Sequence, residues 1–257
     1  MRVFNGFGDL PRFRNPVVTV GSYDGVHAGH RKLLQTIRDI ARRTGGESVV
    51  VTFSPHPREV LAGGGTVKLL SSLGEKTLLL AGAGIDNLVV APFTTEFSRI
   101  SSYDFVKQYL IDRIGVHTLV VGYNHHFGHN KTGDFNYLER MGEEFGFGIY
   151  MVPRHDVDDD KVSSTIIRNL IGQGRVAEAA KYLGYRYFIM GAAGENGIFH
   201  PDDAAKLLPP AGEYPVEAGA ECGPRQCGVL VVQTDGTLRL TAPDTPFPPG
   251  KATVTFM

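Results

Sequence analysis

The chain of 257 residues has little cysteine, no excess of charge of one sign and no long apolar run. Two cysteines, Cys222 and Cys227, are too few for a disulfide scaffold, and no further Cys or His pair completes a metal site. We therefore expect two ordinary thiols in a reducing cytosol. A formal net charge of −1, without a Lys/Arg run, gives no reason to expect nucleic acid or an anionic membrane as a partner.

Targeting signals are also lacking. Residues 1–20 show no basic start followed by an apolar stretch, and no apolar run approaches the roughly 18 residues of a membrane span. The apolar fraction of 42% and the charged fraction of 21% are ordinary for a globular protein. The composition therefore predicts a soluble cytoplasmic protein with a packed core, and it points to no protein partner.

Short β-branched runs alternate with longer amphipathic segments along most of the chain. The runs predict strands over 16–21, 48–53, 87–91, 117–122 and 147–152, and the segments predict helices over 27–43, 75–82, 102–113, 134–145, 163–172 and 175–183. Strands that alternate with helices form parallel βαβ units. The expected fold is therefore α/β, with a doubly wound parallel sheet whose strands are buried on both faces.

The pattern changes after Tyr185, where Pro and Gly become frequent and helical periodicity ends. Gly228–Gln233 and Thr237–Thr241 are typical of antiparallel strands, and Thr234-Asp235-Gly236 between them is typical of a hairpin turn. We predict a main domain over residues 1–185 and a small β-rich domain over residues 186–257.

The most distinctive motif joins the first predicted strand to the first predicted helix. It reads Gly21-Ser22-Tyr23-Asp24-Gly25-Val26-His27-Ala28-Gly29-His30. Parallel sheets bind ligands at the carboxyl ends of their strands, and a helix N-terminus presents N–H groups to an anion. Gly25 and Gly29 permit the backbone to approach a phosphate, while His27 and His30 can donate to charge growing on it. The alternative is two helix histidines that only pack.

A second motif, Lys161-Val162-Ser163-Ser164-Thr165-Ile166-Ile167-Arg168, begins a later predicted helix. Hydroxyls at a helix start are usually N-caps, and capping alone is one interpretation. An Arg one turn inside such a start can also clamp the distal phosphates of ATP. Both interpretations are open.

These two motifs resemble those of the nucleotidyltransferase superfamily, which has His-x-Gly-His and a distal Ser-Ser-Thr-x-x-Arg. More narrowly, the chain resembles the FMN adenylyltransferase module of bacterial FAD synthetases, whose sheet is Rossmann-like. The stretch Thr52–Pro57 is similar to the family's Phe-x-Pro-His-Pro, and Val121–Gly128 with Gly133 is similar to its Val-Gly-x-[Asn/Asp]-Phe-x-Phe-Gly. Pro92-Phe93, followed by Glu96-Phe97-Ser98, also fits. The matches follow family order between residues 16 and about 185.

The resemblance implies ATP and FMN as substrates, Mg²⁺ as the cofactor, and a set of site residues. His27 and His30 would contact the ATP phosphates, and Asn124 would help to hold the FMN phosphate or the metal-bound phosphates. The β/γ phosphates would be clamped by Ser163, Ser164, Thr165 and Arg168, and a flap near the flavin would include Phe53, His56 and Pro57. Gly21, Tyr23, Asp24 and Gly29 would complete the nucleotide-binding residues. Two departures from the family pattern are His125, where Phe is usual, and Ile166, where Arg is frequent.

Two other polar clusters have simpler interpretations than a metal site. His125, His126 and His129 lie without a Cys or carboxylate at ligand spacing, which favours a polar ligand loop over zinc. Asp156, Asp158, Asp159 and Asp160 are typical of a solvated loop, with a role near magnesium as the alternative. We predict no metal-ligating residue from either cluster.

The C-terminal region resembles a shortened riboflavin kinase barrel. Leu208–Tyr214 is similar to that family's Pro-x-x-Gly-Val-Tyr, and Pro248–Lys251 stands where Tyr-Gly-Lys is common. The kinase's Pro-Thr-x-Asn has no counterpart after Tyr185, and no Glu follows Glu221 to act as the base. An unrelated β-rich domain is the alternative.

The sequence therefore predicts an enzyme, an FAD synthetase that transfers AMP from ATP to FMN, releases pyrophosphate and lacks riboflavin kinase activity. Two alternatives are open. One is a nucleotidyltransferase for another phosphorylated acceptor, such as a phosphopantetheine or a phosphorylated polyol. The other is a non-catalytic paralogue that binds flavin nucleotides.

Overall fold

A computed structural model of the protein describes residues 1–61, 67–123, 134–153, 156–157, 160–220, 224–242 and 247–257. The chain packs into two compact units. The sheet unit comprises Met1–Tyr23, Gly29–Val67 and Thr77–His155, and the barrel unit comprises Asp24–Ala28, Lys68–Lys76 and Asp156–Met257. The domain boundary near Tyr185 stays a prediction.

A six-stranded parallel sheet forms the centre of the sheet unit. Its strands are β1 (Arg2–Asn5), β2 (Val17–Val20), β3 (Ser48–Ser54), β4 (Asn87–Pro92), β5 (Thr118–Gly122) and β6 (Gly148–Val152). They lie in the order β1-β4-β3-β2-β5-β6, and every neighbouring pair is parallel. Because the chain reverses its direction across the sheet at β2, the ligand crevice of such a fold opens at the carboxyl ends of β2 and β5.

Helices connect these strands; apolar periodicity predicts the longer ones, whereas the short helices Pro57–Leu61 and Thr95–Ser98 were not predicted. They are α1 (Ala28–Arg43), α2 (Pro57–Leu61), α3 (Leu73–Gly82), α4 (Thr95–Ser98), α5 (Ser102–Asp104) and α6 (Phe135–Phe145), and α5 continues into a π-helical segment, Phe105–Ile114. Helix α1 buries Leu34, Ile37 and Ile40 at helical spacing. One core cluster joins Val18 and Val49 of the sheet to Phe105, Val106 and Leu138. Among the described residues, no helix is long and apolar enough to cross a membrane.

The longest segment of the barrel unit, Asp156–Met257, begins with the short strands β7 (Asp156–Val157) and β8 (Asp160–Lys161) and the helices α7 (Ser164–Gly172) and α8 (Val176–Leu183). Six antiparallel strands then close a barrel in the order β10-β13-β12-β11-β14-β9. These strands are β9 (Phe188–Ala193), β10 (Ile198–Pro201), β11 (Gly212–Gly219), β12 (Gln226–Val232), β13 (Leu238–Thr241) and β14 (Gly250–Phe256). The predicted hairpin is confirmed, since β12 and β13 pair with Leu230 opposite Leu240.

The barrel core is continuous with the helices that precede it. Ile167 of α7 and Leu183 of α8 are buried in the same cluster as Ile189, Leu230 and Val254 of the barrel. Closure pairs the strands around the ring, so a small barrel of this kind exposes little strand edge. The predicted fold class, a doubly wound parallel sheet with a small C-terminal β-rich domain, is confirmed.

Candidate active site

The loop after β2 has an unusual backbone. Gly21 N donates to Val51 O at 3.0 Å, which keeps the start of the loop beside the sheet. Tyr23, Gly25 and Val26 then take positive φ angles of 48°, 82° and 37°. Left-handed backbone is unfavourable for a bulky or β-branched residue and persists only where the surrounding structure holds it. The contacts that hold Asp24–His27, which we call the phosphate loop, are therefore informative.

Asp24 is fixed by three groups of the barrel unit. Its carboxylate, 2% exposed, accepts from Arg168 Nη2 at 2.5 Å and from Ser71 N at 3.0 Å. Its backbone carbonyl accepts from Ser164 Oγ at 3.1 Å. Arg168 Nε donates to Lys68 O at 3.1 Å, so two of the three guanidinium nitrogens hold protein groups. Asp24 is thus bound to a cation of the protein itself.

Gly25 lies where a side chain would not fit. Its N–H donates to Ser71 Oγ at 2.9 Å, and its carbonyl accepts from Tyr185 Oη at 2.6 Å. A Cβ atom placed on Gly25 would lie 2.9 Å from Leu70 Cδ1 and 3.1 Å from Leu70 Cβ. The positive φ and this close approach both require glycine.

His27 is buried, and burial lowers its pKa to about 4. The positive charge of Arg168 lowers the pKa further, while the carboxylate of Asp24 raises it. The imidazole is therefore neutral at neutral pH, with one ring nitrogen able to donate and the other able to accept a hydrogen bond. An anion placed beside it would favour the protonated form.

Tyr23 packs against His30 within the sheet unit. The two rings meet edge to face, with centroids 5.1 Å apart and planes at 62°. The Tyr23 hydroxyl lies 2.7 Å from Thr19 Oγ1 of β2, and burial raises the Tyr23 pKa, so the phenol stays neutral. Tyr23 thereby links the orientation of the His30 ring to the sheet. That His27 and His30 point into one crevice stays a prediction.

The start of α7 uses its hydroxyls in two ways. Ser163 is the N-cap, and its Oγ accepts from Ile166 N at 3.4 Å, so the capping interpretation is confirmed for this residue. Ser164 holds the phosphate loop, and Thr165 is exposed. Capping leaves a hydroxyl able to contact a ligand as well, so the predicted phosphate contacts of the three residues stay predictions.

The predicted flavin flap combines an aromatic cluster with a helix start. Phe53, at the end of β3, lies with its ring centroid 5.4 Å from that of Phe93 and 6.1 Å from that of Phe97. Pro57 begins α2, and the buried His56 accepts through Nδ1 from Arg58 N at 3.1 Å. The aromatic rings give this end of the sheet an apolar character.

Several predicted residues lie outside the described residues: Asn124, His125, His126, His129, Asp158 and Asp159. Across the part of the chain that the structure describes, no three or more His, Cys, Asp or Glu side chains form a group that could hold a metal ion. Asp24, the carboxylate of the phosphate loop, is occupied by Arg168.

Sequence reasoning missed the residues that hold the phosphate loop from a distance. Ser71, Tyr185 and Lys68 contact it or its partners, yet each lies more than 40 positions away in the chain. Ser71 precedes α3 and has the pattern of a helix start, so nothing in its neighbourhood pointed to Gly25. These contacts depend on the tertiary fold.

The six-stranded parallel sheet, with helices between its strands, defines a Rossmann-like doubly wound protein. The family model for FAD synthetase matches residues 10–166. The chain belongs to the FAD synthetase family.

Two curated relatives carry the name bifunctional riboflavin kinase/FMN adenylyltransferase. The protein of Pseudomonas fluorescens is 33% identical over 81% of this chain and 65% of its own length. The protein of Listeria monocytogenes is 35% identical over 76% of this chain and 60% of its own length. The match thus spans less than two thirds of either relative. A solved structure titled macrolide-efflux protein from Streptococcus pneumoniae has a TM-score of 0.84 over 100% of this chain and 98% of that one. At 22% identity it shows the fold alone.

Proposed function

We propose that this protein is an FMN adenylyltransferase that joins the AMP part of ATP to FMN and releases pyrophosphate. The observation that carries the proposal is the strained phosphate loop of Asp24–His27, which follows β2 in the chain and is held by Arg168 and Ser71. Membership of the FAD synthetase family supports FMN as the acceptor.

The proposed transfer of AMP to FMN requires little proton transfer. The FMN phosphate carries most of its second negative charge near neutral pH, so one of its oxygens can attack the α-phosphorus of ATP without a strong base. A bond forms between that oxygen and the α-phosphorus, and the bond to the bridging oxygen breaks, so that pyrophosphate leaves with both electrons. The protein has to place the two phosphates in line and stabilise the charge that shifts between them.

Residues of the loop supply that placement and stabilisation. Neutral His27 can donate one hydrogen bond, and the backbone N–H groups at the start of α1 present partial positive charge. His30 would also donate to the ATP phosphates, and Ser163, Thr165 and the remaining edge of Arg168 would contact the β/γ phosphates. Mg²⁺ that accompanies ATP would neutralise phosphate charge. Gly21, Tyr23 and Gly29 would shape the nucleotide site, Asn124 would contact phosphate, and Phe53, His56 and Pro57 would lie near the flavin.

We further propose that residues 186–257, the C-terminal domain, do not phosphorylate riboflavin. A neutral ribityl hydroxyl needs deprotonation help, and no Glu follows Glu221 in the barrel strands. The Pro-Thr-x-Asn stretch of the kinase family has no counterpart after Tyr185. The protein would act on FMN in the cytoplasm.

The test is incubation of purified protein with Mg-ATP and either FMN or riboflavin, followed by chromatographic separation of the flavins. We expect FAD from FMN and no FMN from riboflavin. Transfer of AMP to a phosphopantetheine or a phosphorylated polyol in place of FMN would contradict the flavin assignment. Tight FMN binding without turnover of any acceptor would favour a binding paralogue, and steady FMN formation from riboflavin would contradict the second proposal.

A further inference from the structure

Lys206, between β10 and β11, is a buried cation that the proposed chemistry does not use. It is 3% exposed, and its Nζ donates to Glu75 Oε2 at 2.6 Å and to Leu70 O at 2.8 Å. The same Nζ lies 4.1 Å from the centroid of the Tyr187 ring. Two oxygens and an aromatic face together compensate for the loss of water around the ammonium group.

Glu75 connects this lysine to two backbone segments. Its Oε2 also accepts from Ser72 N at 3.0 Å, and its Oε1 accepts from Met190 N of β9 at 2.8 Å. Both carboxylate oxygens are therefore satisfied inside the barrel unit, where Glu75 is 1% exposed. The ion pair thus fixes residues 70–72 against the barrel wall.

Backbone hydrogen bonds fix which residues of the segment around Leu69 lie opposite the segment around Lys206. Leu69 and Lys206 form a parallel bridge, in which Leu69 N donates to Ala205 O and Leu207 N donates to Leu69 O, both at 2.7 Å. Tyr187 Oη donates to Leu207 O at 2.7 Å. We call residues 68–72 the bridge segment.

The opposite side of the bridge segment holds the phosphate loop. Ser71 N donates to Asp24 Oδ1 and Ser71 Oγ accepts from Gly25 N, while Lys68 O accepts from Arg168 Nε, the partner of Asp24. A continuous set of bonds therefore runs from Lys206 through the bridge segment to Asp24 and Gly25. These contacts all lie within the barrel unit.

A charged pair is better suited than an apolar contact to holding the bridge segment in one position. A buried ion pair adds little net stability over well-packed apolar side chains of similar size, yet it tolerates few alternative arrangements because each displaced charge is left unpaired. The phosphate loop has a left-handed backbone at Gly25 and Val26, which needs a fixed surrounding. The buried pair of Lys206 and Glu75 is therefore suited to fixing the position of this surrounding.

We propose that Lys206 is a positioning residue for adenylyl transfer, which acts through the bridge segment on Asp24 and Gly25. Through Lys206, the antiparallel strands β9–β14 thereby take part in the reaction without contributing a group that touches the substrates. The test of this proposal by enzyme activity rests on the proposed FMN adenylyltransferase function.

Lys206→Met and Ser71→Ala test the two ends of this connection, and Leu230→Ala, a buried barrel residue outside it, is the matched control. Amide hydrogen exchange of peptides covering residues 24–28 measures the loop directly, and FAD formation measures kcat and KM at a temperature where every variant is folded. We expect Lys206→Met to speed loop exchange and to lower kcat, each about ten-fold, with KM for ATP changed less. Leu230→Ala should change both by less than about two-fold even at an equal loss of Tm.

Ser71→Ala leaves the buried ion pair intact, so it stays informative where Lys206→Met does not fold. It should also speed exchange at residues 24–28, and adding Lys206→Met to it should have a smaller effect than Lys206→Met alone, because the two act in series. Equal effects of Lys206→Met and Leu230→Ala at matched Tm, or unchanged loop exchange in Ser71→Ala, would overturn the proposal. If the wild type forms no FAD, the proposed function fails, and the exchange measurements still decide whether Lys206 positions the loop.

Discussion

Asp24 and Arg168 stand 144 positions apart in the chain and form an ion pair, with Oδ2 and Nη2 separated by 2.5 Å. The Asp24 side chain is 2% exposed and that of Arg168 is 16% exposed. Both residues belong to the motifs that predicted the nucleotide site, and the pair joins one motif to the other. Arg168 therefore supports the phosphate loop in addition to any contact with phosphate.

Asp24→Asn should destabilise the protein strongly. The amide cannot neutralise Arg168, and breaking one partner of a largely buried pair costs about 3 kcal/mol. Urea unfolding at neutral pH measures the change. The matched control is Glu217→Gln, which breaks the more exposed Arg186–Glu217 pair on the barrel and should cost less than about 1 kcal/mol. Equal losses in the two variants would show that the Asp24–Arg168 pair contributes no more than a surface contact.

Gly25→Ala should lower both stability and FAD formation, whereas Gly45→Ala should affect only stability, and weakly. Both glycines have positive φ, but a Cβ on Gly25 meets Leu70 at 2.9 Å, and a Cβ on Gly45 meets nothing within 4 Å. Left-handed backbone costs an alanine about 1 kcal/mol, and the clash adds about 1–3 kcal/mol in Gly25→Ala. Urea midpoints and kcat measured side by side test this. A Gly25→Ala variant as stable and active as Gly45→Ala would mean that the Leu70 side chain moves to accommodate the added methyl group at little energetic cost.

Much of the sheet could be predicted from sequence because its strands are buried on both faces. Val17–Val20 and Ser48–Ser54 are nearly continuous apolar runs, and the structure places strands there. The edge strand Arg2–Asn5 was missed, since it is short and mostly exposed and therefore carries no apolar run. In the barrel, apolar patterning did not predict Gly212–Gly219, because this strand combines Gly, Pro and Glu with few apolar positions.

The candidate site could be predicted only where its residues are neighbours in sequence. The run from Gly21 to His30 is recognisable locally, as is Ser163 to Arg168. The contacts of Asp24 with Ser71 and of Lys206 with Glu75 join residues 47 and 131 positions apart. Serine, lysine and glutamate are common on surfaces, so only their burial in the fold reveals these contacts.

His27 should make stability depend on pH between its two pKa values. Its pKa is lowered from 6.5 to about 4 in the folded protein, so the unfolded chain binds the proton more tightly. The contribution of neutral His27 to the free energy of unfolding is fully present above pH 6.5. It is lost as pH falls toward 4, and the free energy of unfolding decreases by about 3 kcal/mol in total. Urea unfolding of the wild type and His27→Gln at several pH values measures it. The control His200→Gln removes an exposed imidazole and should keep the wild-type pH dependence. A His27→Gln variant that also kept the wild-type pH dependence of stability would contradict the assignment of that dependence to the buried His27 imidazole.

His30→Ala should lower kcat for FAD formation much more than it weakens FMN binding. An imidazole that donates to a transferring phosphate acts mainly in the transition state, and one such donor is worth about 10²–10³ in rate. Steady-state kinetics with FMN and ATP, together with FMN binding measured by fluorescence, separates the two effects. His117→Ala, which removes an exposed imidazole beside Thr118, should leave kcat unchanged. Tyr23→Phe keeps the ring against His30 and removes only the hydroxyl near Thr19, so it should lower kcat less than His30→Ala does. A His30→Ala variant with wild-type kcat and weakened FMN affinity would assign His30 to substrate binding alone.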